Sequence, residues 1–561
     1  MLNPARRDEG SGSPVKKRPD GCHTTPAQGV YPMELLSNAR IYTFSATQPV
    51  VEALLIGPQG KIQAIGRQED LREAYATCIQ REEDLGGATV LPGLTDAHIH
   101  LRHYALNLRK VDCATTTKEA CLARVAQRAR LTPPGQWILG HGWNQNDWGD
   151  AFPTAADLDK VAPHHPVYLT AQSLHAAWVN STALAQAHIT AQTPDPANGR
   201  IGRDDQGRPN GLLFEGAMRL ASQIIPPPTE EETLAALRHA QETLWGLGIT
   251  SVHDFDRVPA FRALQRLHER GELRLRVLKN LPIEALDALI EAGLRSGFGD
   301  DWLCLGGLKA FADGALGPRT AAMFQPYTDR PGERGMLLLD AEAILAFARR
   351  AVTHGLSLTI HAIGDRANHE VLNAYEHLRA YERAQGLPPL RHRLEHAQLL
   401  HPQDVPRLGR LGVIASMQPF HALSDRPFAQ RAWGERCATA YAWRSISNQG
   451  AVLAFGSDAP VEAPNPWLGL YAAVQRAPLD TPEQAWYPQE RLSLQQALAA
   501  YTTGPAYAAG WENHLGRLAP GYAADLIVLR HDPFRLPPEA LPSQRPLATM
   551  VGGRWVWQAS P

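Results

Sequence analysis

The chain has 561 residues, 44% of them hydrophobic and 20% charged, with a formal net charge of −2 and a pI near 6.9. That composition supplies a large core and gives no electrostatic handle for nucleic acid or an anionic membrane. No run of about 18 apolar residues is present to cross a bilayer, and the cysteines (Cys22, Cys78, Cys113, Cys121, Cys304, Cys437) lack CxxC spacing. Neither a disulfide framework nor a zinc knuckle is therefore expected, and a cytoplasmic location fits.

Residues 1–32 are rich in Arg, Lys, Pro, Gly and Ser without the apolar stretch of a signal peptide, and are expected to form a disordered extension. Ordered patterning begins at Met33. Residues 51–56 and 61–66 flank a Gly57-Pro58-Gln59-Gly60 turn and read as a hairpin. Strand-like runs return at 524–529 and 550–557. The expectation is one small β-sandwich assembled from 33–92 and 511–561; two independent terminal modules are the competing reading.

The middle alternates helix and strand. Thr229 and Glu232 form a capping box, after which Leu234, Leu237, Gln241 and Leu244 follow at helical spacing. Strands are expected up to His98 and at 249–254, 273–278, 303–311, 356–363, 393–397, 413–417 and 452–457, with amphipathic stretches such as 340–350 and 367–381 between them. Eight such units imply an α/β fold, a closed (β/α)8 TIM-type barrel over 93–510 with its site at the C-terminal ends of the strands. The first and second strands are separated by far more chain than a crossover needs. Residues 110–230 are therefore expected to form an insertion that caps the site, its tryptophans lining a pocket or forming its own core.

The ends of the expected strands carry the chemistry. Strand one ends in His98-Ile99-His100, whose imidazoles share one face because side chains alternate. Strand four carries a single Lys309 in an apolar run, strand five ends at His361, strand six in Glu395-His396 and strand eight in Ser457-Asp458. Neutral imidazoles and carboxylates suit Zn²⁺ and similar divalent ions. An ammonium cannot ligate a cation, so Lys309 must lose its charge or stand aside, for instance paired with Asp313. Asp96 and Glu395 are candidates to orient the imidazoles.

This order of residues resembles the amidohydrolase superfamily of metal-dependent hydrolases. Leu91-Pro92-Gly93-Leu94-Thr95-Asp96-Ala97-His98-Ile99-His100 is similar to its entry motif, and residues 516–529 to its C-terminal sandwich signature. Residues 309–317 and 457–461 resemble amidohydrolase family 3, the branch that includes N-substituted formamide deformylases. The resemblance implies a carbamate on Lys309, derived from CO₂, bridging two metals. His98, His100 and Asp458 would then hold one ion, and His361 and His396 the other. Glu215 is the second choice for the bridging carboxylate. Asp458 is the expected catalytic residue, taking a proton from an activated water and passing it to the leaving amine.

The function expected is hydrolysis of a non-peptide C–N bond of an amide or formamide. Ester, lactone or phosphoester hydrolysis on the same centre, or a catalytically silent metal-binding barrel, are the rivals. Trp143, His175, His253, Arg319, Tyr327 and Gln418 are candidates for substrate binding, each equally readable as a loop or packing residue. The expected partner is a small-molecule substrate, without nucleic acid or membrane, and a homodimer is compatible with the sequence.

Overall fold

The computed structural model describes residues 33–149, 152–173 and 175–560; the expected N-terminal extension lies outside them. Eight parallel strands follow one another in sequence order: β1 (Leu94–Ile99), β2 (Ile249–Asp254), β3 (Arg276–Pro282), β4 (Leu303–Phe311), β5 (Leu358–Ala362), β6 (Arg393–His396), β7 (Ile414–Met417) and β8 (Leu453–Phe455). Each pairs with its neighbour. The circle is drawn together where Asp458 N donates to the His98 carbonyl at 2.7 Å and His100 N to the Ala459 carbonyl at 2.9 Å. The result is a nearly closed α/β barrel.

Local sequence explains most of the elements. In the helix Glu230–Trp245, the Glu232 carboxylate accepts from Thr229 N at 2.8 Å while the Thr229 hydroxyl accepts from Glu232 N at 3.2 Å, and Leu234, Leu237, Gln241 and Leu244 face the barrel. The helix Ala341–Thr353 buries Ile344, Ala348, Ala351 and Val352, spaced as an apolar stripe should be.

β3 departs from the pattern. It begins three residues later than the apolar run suggests and continues through Lys279 and Asn280 to Pro282. Leu273 N and Arg274 N are engaged by the Leu267 carbonyl and by Gln241 Oε1, so the strand cannot start there. Lys279 is tolerated in the wall because its ammonium lies 2.6 Å from Asp254 Oδ2, both groups fully buried.

Two further sheets share a core drawn from both ends of the chain. In one, Met33–Ser37 lies between Ala53–Ile56 and Ile79–Asp84; in the other, Thr89–Pro92 pairs antiparallel with Leu526–Leu529. Leu36, Ile41, Leu54, Val90, Leu526 and Met550 pack between them. The segment after β1 builds its own six-stranded sheet, from Val111–Asp112 to Pro209–Glu215. No helix among the described residues is long and apolar enough to cross a membrane.

Candidate metal centre

β1, β5 and β6 each deliver a histidine at the same end of the barrel, and a neighbour occupies one nitrogen of each ring. His98 Nδ1 lies 2.6 Å from Glu395 Oε2, His396 Nδ1 lies 2.8 Å from Gln418 Oε1, and His361 Nε2 lies 2.9 Å from the Gly314 carbonyl. Those acceptors fix the ring protons and leave His98 Nε2, His396 Nε2 and His361 Nδ1 with free lone pairs. The rings pack together, His396 lying 4.8 Å from His98 and 4.5 Å from His361 between centroids.

Burial keeps these rings neutral. Desolvation, then the charge of Lys309, pulls His98 down to about 4 and His361 to about 3. Desolvation and the neighbouring imidazoles hold His396 well below the usual range. Asp458 Oδ1 faces them, 3.7 Å from His98 Nε2 and 3.4 Å from His100 Nε2. Burial alone would raise its carboxyl, but the hydrogen bond from His100 and the neighbouring His98 and His396 imidazoles hold it well below the usual carboxylate range. One ligand atom each of His98, His396 and Asp458 lie within 4.8 Å of one another. Neutral imidazoles with an ionised carboxylate are the donor set of a borderline divalent ion such as Zn²⁺.

The backbone is bent to present these groups. His396 (φ 73°) and Asp458 (φ 60°) are both left-handed, a conformation that costs a non-glycine residue about 1–3 kcal/mol. Gly456 is required by close approach: a Cβ there would lie 2.4 Å from His98 N. Asp96 does not orient an imidazole. Its Oδ1 accepts from His98 N at 3.1 Å and Ser457 N at 3.0 Å, tying β1 to the loop after β8.

Lys309 Nζ sits 4.8 Å from the ring centroid of Phe255 and 4.9 Å from that of Phe311, and burial pushes its pKa down to about 8. It is not paired with Asp313, whose carboxylate accepts from the backbone of Ala322, Ile363 and Gly364. His100 stands just past the end of β1, at the N-terminus of the helix Leu101–Leu108. Its Nδ1 lies 3.4 Å from Asp256 Oδ1. Desolvation opposes its charge, but Asp256 and Asp458 outweigh that and raise it to about 9. A cleft of about 370 Å³ opens over this end, lined among others by His100, Phe255, Asp256, Lys309, Phe311 and Leu338.

A family model for the amidohydrolase family matches residues 81–557. The chain belongs to the amidohydrolase family. It is 34% identical over 548 residues to "Protein LONG AFTER FAR-RED 3" of Arabidopsis thaliana, covering 95% of this chain and 93% of that one. It is 29% identical to the N-substituted formamide deformylase of Arthrobacter pascens, over 92% and 97% of the two chains. Among solved structures, an uncharacterized metal-dependent hydrolase from Pyrococcus furiosus superposes with a TM-score of 0.73 at 31% identity, covering 90% of this chain and all of that one.

Within this amidohydrolase the residues expected to meet substrate stand elsewhere. Trp143 is buried in the insertion's own core beside Trp148 and Trp178, its indole N–H donating to the Leu169 carbonyl at 2.9 Å. Glu215 does not join the buried cluster: its carboxylate is 56% exposed and lies 3.0 Å from His175 Nδ1, which is itself exposed. His253 is fully buried below the cleft, its Nδ1 2.8 Å from Arg393 Nη1. Arg319 bonds to Asp329 at 2.6 Å, and the Tyr327 hydroxyl donates to the Ala321 carbonyl at 2.7 Å, so both hold the loop after β4. Gln418 touches His396 and positions it. Among the described residues, none that lines the cleft comes from 110–230, where a cap was expected.

Sequence reasoning passed over Phe255, whose ring stacks on His98 at 3.9 Å, and Asp256 beside His100. The signal was present in His253-Asp254-Phe255-Asp256. Alternation along the strand turns His253 and Phe255 toward the axis, and Asp254 and Asp256 toward the helix after β1.

The histidine shifts predict a pH profile for the metal-free protein. An unfolded imidazole binds a proton below about 6.5, whereas buried His98 and His361 bind theirs only near 4 and 3. The unfolded state then holds more protons, so stability falls as pH drops from about 6.5 to about 4. His100, raised to about 9, acts oppositely: its contribution is full below about 6.5 and lost as pH rises toward 9. Asp96 and Asp313, which burial raises to about 6 and about 7, oppose the histidine limb over the same range, so the imidazoles are best read one by one, by NMR titration of the chelated protein. A His98 or His361 ring that takes up its proton near 6.5 would contradict the neutral assignment.

Proposed function

We propose that this amidohydrolase cleaves the C–N bond of a small non-peptide amide or formamide. The centre would be divalent, held by His98, His100, His361, His396, Asp458 and a carboxylated Lys309. The observation that carries the reading is the convergence of neutral, oriented imidazoles and an ionised carboxylate at the strand ends. The 29% identity to an N-substituted formamide deformylase supports the bond type. A bound Zn²⁺ or similar ion supplies an acidified water and polarises the scissile carbonyl.

The chain's own residues do the rest. Glu395, Gln418 and the Gly314 carbonyl hold the imidazoles in their ligating tautomers. Asp458 accepts a proton at a carboxylate oxygen and returns it to the nitrogen of the departing amine. Burial between Phe255 and Phe311 lowers Lys309 to about 8, so that a fraction of it is neutral amine near neutral pH. That amine forms an N–C bond with CO₂ and releases one N–H proton to solvent, leaving a carbamate. The apolar walls Phe255, Phe311, Ile283, Leu338 and Leu339 suit an apolar N-substituent.

The test is amine release from a panel of N-substituted formamides and amides beside matched esters and lactones. Release from the formamides or amides is expected, abolished by a chelator and restored by Zn²⁺. Activity that survives complete metal removal, or cleavage confined to esters and lactones, would overturn the reading, as would a panel left wholly intact. An electron-density map showing a free amine on Lys309 would remove the carbamate.

A further inference from the structure

Just outside the inner cluster lies a second group, His100, His103 and Asp256, with one ligand atom from each within 4.8 Å of the others. We propose that these three residues form a separate divalent-cation site at the mouth of the cleft, and that filling it withdraws His100 from the inner centre and inhibits the enzyme. The inhibitory half rests on the proposed function; the binding half does not.

The geometry is built by two strand ends. β1 runs into the helix Leu101–Leu108, which places His100 and His103 one turn apart on the same face. The chain leaving β2 brings Asp256 beneath them, 2% exposed. Its Oδ2 accepts from Arg102 N at 2.6 Å and His103 N at 3.0 Å, which fixes the carboxylate. Its Oδ1 is thereby turned toward two ring nitrogens, His103 Nδ1 in hydrogen-bond contact and His100 Nδ1 at 3.4 Å. One oxygen thus gathers two imidazoles. Two histidines and a carboxylate bind a borderline ion such as Zn²⁺ and leave a further position for water. All three residues line the cleft, and the His103 side chain is 62% exposed, so an ion arrives directly from solvent.

Antagonism follows from the chemistry of one ring. His100 Nε2 points to Asp458 and Nδ1 to Asp256, each at 3.4 Å. A neutral imidazole has one lone pair and one N–H. An ion on Nδ1 therefore leaves the proton on Nε2, which then cannot ligate an inner ion. The two sites compete for His100.

The experiment adds Zn²⁺ to the metal-loaded enzyme and reads two quantities. Bound zinc per chain is measured by equilibrium dialysis with elemental analysis, and turnover of a cleaved formamide or amide is followed in parallel. The wild type is expected to take up one further equivalent and to lose most of its activity as it does so. His103→Ala and His103→Gln should keep the activity seen without added zinc, lose the extra equivalent and resist inhibition. No extra equivalent in the wild type, or an extra equivalent that survives both substitutions, would overturn the site. An extra equivalent that depends on His103 but leaves turnover intact would overturn the competition for His100. If no substrate in the panel is cleaved, the proposed function fails while zinc stoichiometry still decides the outer site.

Discussion

Asp458→Asn is expected to lower kcat by about 10²–10⁴-fold, the range associated with losing a positioned general acid–base. The replacement is nearly isosteric, so the amide can occupy the place near His98 and His100 that the carboxylate holds. It cannot take up a proton at its oxygen or carry the negative charge that faces three imidazoles. The imidazoles that hold Asp458 ionised in the native protein, His100 first and then His98 and His396, would then face a neutral group. Metal content must be measured on the same sample, because Asp458 is also a proposed ligand. A kcat unchanged at full metal content would exclude Asp458 from proton transfer.

Glu395→Gln should act at a distance from the substrate and still be severe. Glu395 is fully buried, with Oε2 2.6 Å from His98 Nδ1 and Oε1 2.7 Å from Arg393 Nε. Arg393 in turn reaches the Ala97 carbonyl, Ser416 Oγ and His253 Nδ1, each within 2.8 Å. Neutralising the glutamate leaves the guanidinium buried without its counter-charge, at a cost of about 3–5 kcal/mol in stability. It also weakens the acceptor that fixes the tautomer of His98, for which about 10–100-fold in metal affinity is expected. Zinc competition against a chelator and the thermal midpoint read these two effects separately. An unchanged zinc affinity would show that His98 is not a ligand oriented by Glu395.

Much of the scaffold was legible in the chain because barrel strands and their helices are local patterns. The capping box at Thr229, the stripe in the helix it starts and the apolar strands with a histidine or aspartate at their ends all follow from spacing. Two of the departures share one cause, which is charge or polarity compensated from far away. The strand expected at 273–278 stops short of Lys279, whose partner Asp254 lies on the neighbouring strand. His253 is equally readable from sequence as a substrate or a packing residue, and Arg393, 140 residues on, holds it buried in the barrel.

By itself, the sequence determined a barrel with histidines, a lysine and an aspartate at its strand ends, since two-residue and 3.6-residue periodicities are properties of the chain alone. Only the tertiary structure decided how those side chains divide. His98 and His100 share a face on an ideal strand, but β1 ends at Ile99 and a helix begins at Leu101. His100 therefore stands at the turn between them, with one nitrogen toward Asp458 and the other toward Asp256. Where a strand ends, and which loop comes to lie beside it, depends on pairing with β2 and β8. No local pattern carries that information.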